Sequence, residues 1–101
     1  MNSLPRLSRA EQLILSLLVE GETFGLDLVE RSEGRIKRGT VYVTLARMQQ
    51  KGYVESRVEA ANPAAIGLPR RLYQPTAYGL RVMEAWALAA RAFNGHLTQE
   101  V

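Results

Sequence analysis

With 101 residues, 47% apolar, 23% charged and no cysteine, the chain has the size and composition of one globular domain, able to bury about 65% of its unfolded surface as a monomer. No apolar run approaches the ~20 residues of a membrane span, residues 1–9 lack the apolar segment of a signal peptide, and the lack of cysteine excludes a disulfide framework and thiolate metal sites, making a reducing cytoplasm the simplest home. The net charge of +3 is unevenly divided: residues 1–34 carry three basic and six acidic side chains, residues 35–71 eight and two, and residues 72–101 two of each, so the middle third is where a polyanion would be met.

Ser8 followed by Glu11 predicts a capping box, and Ala10, Leu13, Ile14, Leu17 and Leu18 then repeat at helical spacing up to a stop near Gly21. Thr23 is expected to cap a shorter second helix, with Leu28 as its inward anchor, Gly25 allowing close approach and Ser32-Glu33-Gly34 closing it. Ile36 stands alone in a basic loop and reads as a short strand or a plug. The third helix, about 38–51 with its stop at Gly52, has two faces. Val41, Leu45 and Met48 form an apolar stripe, and Thr40, Thr44, Arg47 and Lys51 a polar, cationic one. Lys37 and Arg38 sit at its start, where the helix dipole favours anions.

The period then changes from 3.6 to 2. Residues 53–59 read as a strand and residues 71–75 as its partner. The connection between them, 60–69, is too long for a tight hairpin, and its Pro and Gly content predicts a mobile tip. Thr76 is expected to cap a last helix over 77–94 that stops at Gly95.

The expected fold is mainly α with a small β-ribbon: a winged helix-turn-helix over residues 1–76, with its wing at about 58–71, plus one C-terminal dimerisation helix over 77–101 continuous with the same domain. In that architecture the third helix enters the major groove and the ribbon reaches a neighbouring phosphate backbone. The basic residues fall on those parts. Lys37, Arg38 and Arg47 belong to the third helix, and Arg70 and Arg71 to the return of the wing.

Three motifs in the right order resemble the PadR family of transcriptional regulators. Gly39-Thr40-Val41-Tyr42-Val43-Thr44-Leu45, followed by Gly52-Tyr53-Val54-Glu55-Ser56-Arg57, is similar to that family's Gly-Thr-Leu-Tyr-Pro-Leu-Leu and Gly-Leu-Leu-Glu-Ser segments. Residues 67–79, from Gly67-Leu68-Pro69-Arg70-Arg71 to Thr76-Ala77-Tyr78-Gly79, resemble its Gly-Arg-Pro-Arg-Arg-Tyr-Tyr-x-Leu-Thr-x-x-Gly. Phe24-Gly25-Leu26-Asp27-Leu28 is similar to its His-Gly-Tyr-Glu-Leu. The likeness spans about residues 8–86. Lys37 and Arg38 replace the family's frequent Ser-Pro, Val43 replaces a proline and should leave the helix straighter, and Leu72 stands where an aromatic is usual.

The resemblance implies a double-stranded DNA partner, a homodimer and a short-form regulator, with repression as the simplest mode. Thr40 and Thr44 are the candidates for base edges or thymine methyls, and Arg47 for guanine or phosphate. Lys37 and Arg38 suit phosphate. Tyr42 is expected to pack at the core edge with its hydroxyl on phosphate. Arg70 and Arg71 alternate along a strand, so one would enter the minor groove and the other meet phosphate or Glu59.

On the last helix, Leu80, Met83, Ala87 and Ala90 make one apolar seam and Val82, Trp86, Ala89 and Phe93 another. One small domain cannot bury both, which predicts a C2 dimer with the recognition helices about 34 Å apart on a pseudo-palindromic site. Trp86 reads as dimer packing. The alternative is a contact for a small aromatic effector, because some relatives hold planar ligands between tryptophans of this helix, although here the residue comes about one turn earlier. A winged-helix protein-interaction module without DNA binding is the other alternative. No nucleophile–base pair, paired-carboxylate site, metal-ligand spacing or cofactor motif is present in the sequence, and His96 reads as an ordinary exposed residue.

Overall fold

The computed structural model describes residues 4–59 and 69–99. Four helices and a two-stranded antiparallel sheet follow in the order α1 (Arg9–Leu18), α2 (Gly25–Arg31), α3 (Arg38–Gln50), β1 (Val54–Val58), β2 (Arg71–Pro75) and α4 (Ala77–Gln99). The turn-rich connection lies outside the described residues, apart from its last position, Pro69.

Helix α1 begins in the expected capping box. The Glu11 amide donates to Ser8 Oγ at 3.1 Å and the Ser8 amide to Glu11 Oε1 at 2.8 Å. Its inward face, Ile14, Leu15 and Leu18, joins Leu28 of α2, Val41, Leu45 and Met48 of α3, and Tyr53, Val54, Tyr73 and Val82 in one core. Ile36 proves to be a plug, 3% exposed, its amide donating to Ser32 Oγ at 3.0 Å. Burying a side chain of this size stabilises the domain by about 1.5–3 kcal/mol, which fixes the turn between α2 and α3.

Thr23 is a correction. The N-cap of α2 is Phe24, with no side-chain cap. Thr23 is held instead by two backbone hydrogen bonds to Tyr73, 3.2 and 2.8 Å, as a bridge on the far side of β2, and its hydroxyl donates to Asp27 Oδ2. Its backbone is therefore committed to the sheet.

In the ribbon, Val54 pairs with Pro75, Ser56 with Tyr73 and Val58 with Arg71, so these share one face, while Glu55, Arg57, Leu72 and Gln74 share the other. The sheet hands over directly to α4. Thr76 donates its amide to Tyr53 O and its hydroxyl to Gly52 O, and its Oγ1 accepts from the Gly79 amide at 2.9 Å. Gly79 is required here, because a Cβ at this position would lie 2.1 Å from Tyr53 O.

Helix α4 passes through Gly95 to Gln99, four residues beyond the expected stop. One glycine inside a helix costs about 1 kcal/mol, and without proline or a capping motif that is not enough to end it. The overall extents of 61 × 29 × 22 Å reflect this helix, which is about 35 Å long and projects past the three-helix body. No described helix is long and apolar enough to cross a membrane.

Candidate nucleic-acid interface

Helix α3 is anchored by Val41, Leu45 and Met48, each fully buried. At about 100° per residue, the face opposite that stripe is centred on Gly39, Val43, Ala46 and Gln50. Thr40 and Arg47 flank it on the side of α1, and Tyr42 and Gln49 on the side of the ribbon. All eight are exposed, and Val43 is 57% accessible. Sequence reasoning singled out the polar stripe and missed Val43, Gly39 and Ala46. The missing signal was the wheel position opposite the apolar stripe, which their small or apolar side chains concealed.

Thr44 is half-buried and turned toward α1, with its hydroxyl bonded to Thr40 O at 2.9 Å, the usual back-bond of a helical threonine. It does not share the outermost face with Thr40 and Arg47, because the step from Thr40 to Thr44 rotates a further 40° or so toward the core. Thr40 Oγ1 donates to Lys37 O at 3.2 Å and stays exposed.

Tyr42 combines packing with exposure. It is 51% accessible, yet its ring lies against Gly25 of α2, where a Cβ would come within 2.6 Å of the ring edge. Nearby, burial pushes the Tyr73 phenol up, partly offset by the Arg71 guanidinium.

The two wing arginines separate as strand alternation requires. Arg71 lies on the ribbon face shared with Ser56 and Tyr73, and its Nη1 donates to Ser56 Oγ at 3.1 Å. Ser56 Oγ in turn donates to Gln49 Oε1 of α3 at 3.2 Å. A polar relay thus ties the wing base to the outer helix. Arg70 faces the other way. It makes a bidentate pair with Glu59, both bonds 3.0 Å, and its guanidinium sits 4.2 Å from the Phe24 ring centroid. The hydrogen bond from Arg70 holds the Glu59 carboxyl below its usual range.

Pairing sorts the remaining cations. Lys51 is bound to Glu11 at 2.7 Å, Arg57 to Glu22, and Arg31 to Glu20. Among the described residues, Arg35, Lys37, Arg38 and Arg47 have no carboxylate within salt-bridge distance. Lys37 is the N-cap of α3 without a side-chain cap, and the first turn has no acidic residue. Within the basic middle third, the charge left without a carboxylate partner therefore lies at the start and outer side of α3 and at Arg71 in the wing.

On α4 the two expected seams resolve differently. Gly79, Val82, Met83 and Trp86 form a single stripe toward the body of the domain. Val82 is 3% exposed within the core and Met83 packs against it, so Val82 has no surface to offer a partner and leaves the interface set. The Trp86 indole donates to Pro5 O at 2.8 Å. The same stripe continues as Ala89, Ala90 and Phe93 beyond the end of the body, where these residues are exposed, as is Leu80 on an adjoining face.

A three-helix core, a two-stranded wing and a third helix with an exposed, unneutralised cationic face define a winged helix-turn-helix protein. The chain belongs to the PadR-like family of transcriptional regulators, whose family model matches residues 14–85. It is similar to a PadR family transcription regulator from Clostridium difficile (26% identity, 87% of this chain and 93% of that one, TM-score 0.71). A PadR-like transcription factor from Bacteroides fragilis shares the fold (18% identity, 91% and 89%, TM-score 0.76). So does Bacillus subtilis PadR, solved in complex with operator DNA (22% identity, TM-score 0.67), where the match covers 78% of this chain and 46% of that one. Comparison with curated protein sequences gave no match.

Proposed function

We propose that this chain is a sequence-specific DNA-binding repressor that occupies a pseudo-palindromic operator as a homodimer in the cytoplasm. The observation that carries the reading is the distribution of unpaired charge. Lys37, Arg38 and Arg47 surround the exposed face of α3, while most other cations of the middle third are neutralised within the protomer. The operator complex of the Bacillus subtilis relative supports the same partner.

In this reading Lys37 and Arg38 hold phosphates, and Thr40 and Arg47 read base edges from the α1 side of the helix. Gly39, Val43 and Ala46 let the helix axis approach closely, with the Val43 methyls suited to thymine. Tyr42 reaches phosphate, and Arg71 is the wing arginine that meets DNA. Arg70 is held by Glu59 and has a structural role. The dimer forms along Leu80, Ala89, Ala90 and Phe93, joined by Leu88 at 52% accessibility, and Trp86 borders it. Two such protomers bind half-sites about one helical turn apart, and an occupied operator blocks polymerase without any further surface.

Selection of bound fragments from genomic DNA by the purified protein, followed by gel shifts, tests this. A short inverted repeat should emerge, and T40A/R47A should abolish its binding while sedimentation still reports a dimer. Recovery of no preferred sequence would favour the protein-interaction reading instead.

A further inference from the structure

A second cationic surface lies on the α1 side of the recognition helix. The N-terminal arm is not a loose end. Tyr53 donates its hydroxyl to Arg6 O at 2.7 Å, and Trp86 donates its indole N–H to Pro5 O at 2.8 Å. Two side chains from different elements, 47 and 81 residues away in sequence, therefore fix consecutive carbonyls of the arm. The result is a groove of about 680 Å³ whose walls include Arg6, Ser8, Glu11, Arg47, Lys51 and Trp86. Its single carboxylate, Glu11, is already met by Lys51 at 2.7 Å. Arg6 and Arg47 are exposed and have no carboxylate partner among the described residues. Arg47 belongs to both this groove and the outer face of α3, so the groove continues the interface already described.

We infer that Arg6 is a phosphate-binding residue that extends the DNA interface along the backbone beyond the recognition helix, and that Trp86 and Tyr53 position it. This rests on the DNA-binding reading above. Two cations flanking a groove beside a major-groove helix suit a phosphodiester backbone, whose contacts set register without reading sequence. The link through Trp86 also ties the DNA-facing arm to the C-terminal helix, so any event that moves that indole alters the hold on phosphate.

The test is the salt dependence of binding to a fluorescein-labelled duplex of about three helical turns, followed by fluorescence anisotropy. Each phosphate contact contributes about 0.9 to the slope of log K against log salt. R6A should lower the slope by about that amount, which corresponds to about eightfold weaker binding at 0.1 M salt and convergence with the parent near 1 M. The loss should be equal for operator and unrelated duplexes. R6Q should behave the same way, and the melting temperatures should not change, since only the Arg6 carbonyl takes part in the fold.

W86F, which keeps a ring but removes the N–H, should weaken binding two- to fourfold in the parent and not at all in the R6A background. An unchanged slope in R6A, with the parent binding DNA normally, overturns the assignment of Arg6 and leaves the DNA-binding reading standing. Equal effects of W86F in both backgrounds overturn the positioning role. If the parent itself binds no duplex in a salt-dependent manner, the underlying reading fails instead.

Discussion

Replacing Lys51 by Met isolates the most consequential ion pair in the fold. Glu11 is 3% exposed, inside the capping box of α1, and Lys51 at the end of α3 meets it at 2.7 Å. At that separation and an effective dielectric constant of about 20 the gross attraction is about 6 kcal/mol, most of it offset by the desolvation of Glu11. Without Lys51 the carboxylate keeps the Ser8 amide, and water enters through the space left by a lysine whose side chain is 32% accessible. The net loss at pH 7 is then about 2 kcal/mol, between the values for exposed and fully buried pairs.

The pH dependence carries the sharper test of this pair. Burial raises the Glu11 pKa, but the hydrogen bond from Lys51 and the Ser8 contacts outweigh it, so the folded value lies below the ordinary 4.5. A depressed carboxyl contributes stability that is present above the unfolded value and lost as pH falls through the folded one. In K51M only the Ser8 contacts are left to offset burial, so protonation of Glu11 costs less in the folded state than in the parent. Urea unfolding at pH 7 and at pH 3.5 should show the difference between parent and K51M shrinking at the lower pH. A difference under about 0.5 kcal/mol at pH 7, or one independent of pH, would refute the reasoning.

Gly79→Ala places a methyl group against the Tyr53 carbonyl, a backbone atom that cannot yield, and should cost about 3 kcal/mol, read as an earlier thermal melt. Gly39→Ala meets nothing within 4 Å and should raise stability by about 0.5 kcal/mol, yet weaken operator binding in a gel shift because it thickens the outer face of α3. Arg71→Ala should weaken DNA binding severalfold and lower the salt slope by about one, whereas Arg70→Ala should change the slope little, its guanidinium being held by Glu59 and Phe24.

The parts of the fold written in local pattern were legible in the sequence. The capping box at Ser8 and Glu11, the apolar stripe of α3, the strand at 71–75 and the Thr76 cap each depend on residues within one or two turns of one another. Ile36 stood out as an isolated apolar residue in a basic loop, but its burial and its bond to Ser32 Oγ were needed to decide between a short strand and a plug. What escaped depends on contacts distant in sequence. Thr23 looks like a helix cap until Tyr73, fifty residues on, takes both of its backbone groups. Val82 and Phe93 lie on one helical stripe, and only the length of the domain beneath α4 decides that the first is core and the second exposed. In the candidate site, charge counting pointed to the middle third of the chain, but pairing decided which of its cations remain unneutralised. Arg70 and Arg71 are adjacent letters with opposite fates because a strand turns them to opposite faces.

If the proposed dimer forms, the joint between the sheet and α4 sets its operator spacing. Gly52 O, at the turn that ends α3, accepts from the Thr76 hydroxyl. Tyr53 O, one residue on, accepts from the Thr76 amide, and Gly79 packs on the same Tyr53 backbone. The end of the recognition helix and the start of the projecting helix are thereby bound to one another within a few residues, with no free hinge between them. In the proposed dimer, pairing through α4 would then set both the separation and the tilt of the two recognition helices. A rotation of one α4 against its mate would pass through this joint to the DNA-facing surface instead of being absorbed by a linker. The strength of operator binding should therefore respond to substitutions at Ala89, Ala90 and Phe93, far from DNA, by changing the match to half-site spacing. An operator series lengthened one base pair at a time should show a sharp optimum in the parent and a shifted or flattened one in those variants. A parent indifferent to spacing would mean that the two recognition helices are not held by this joint.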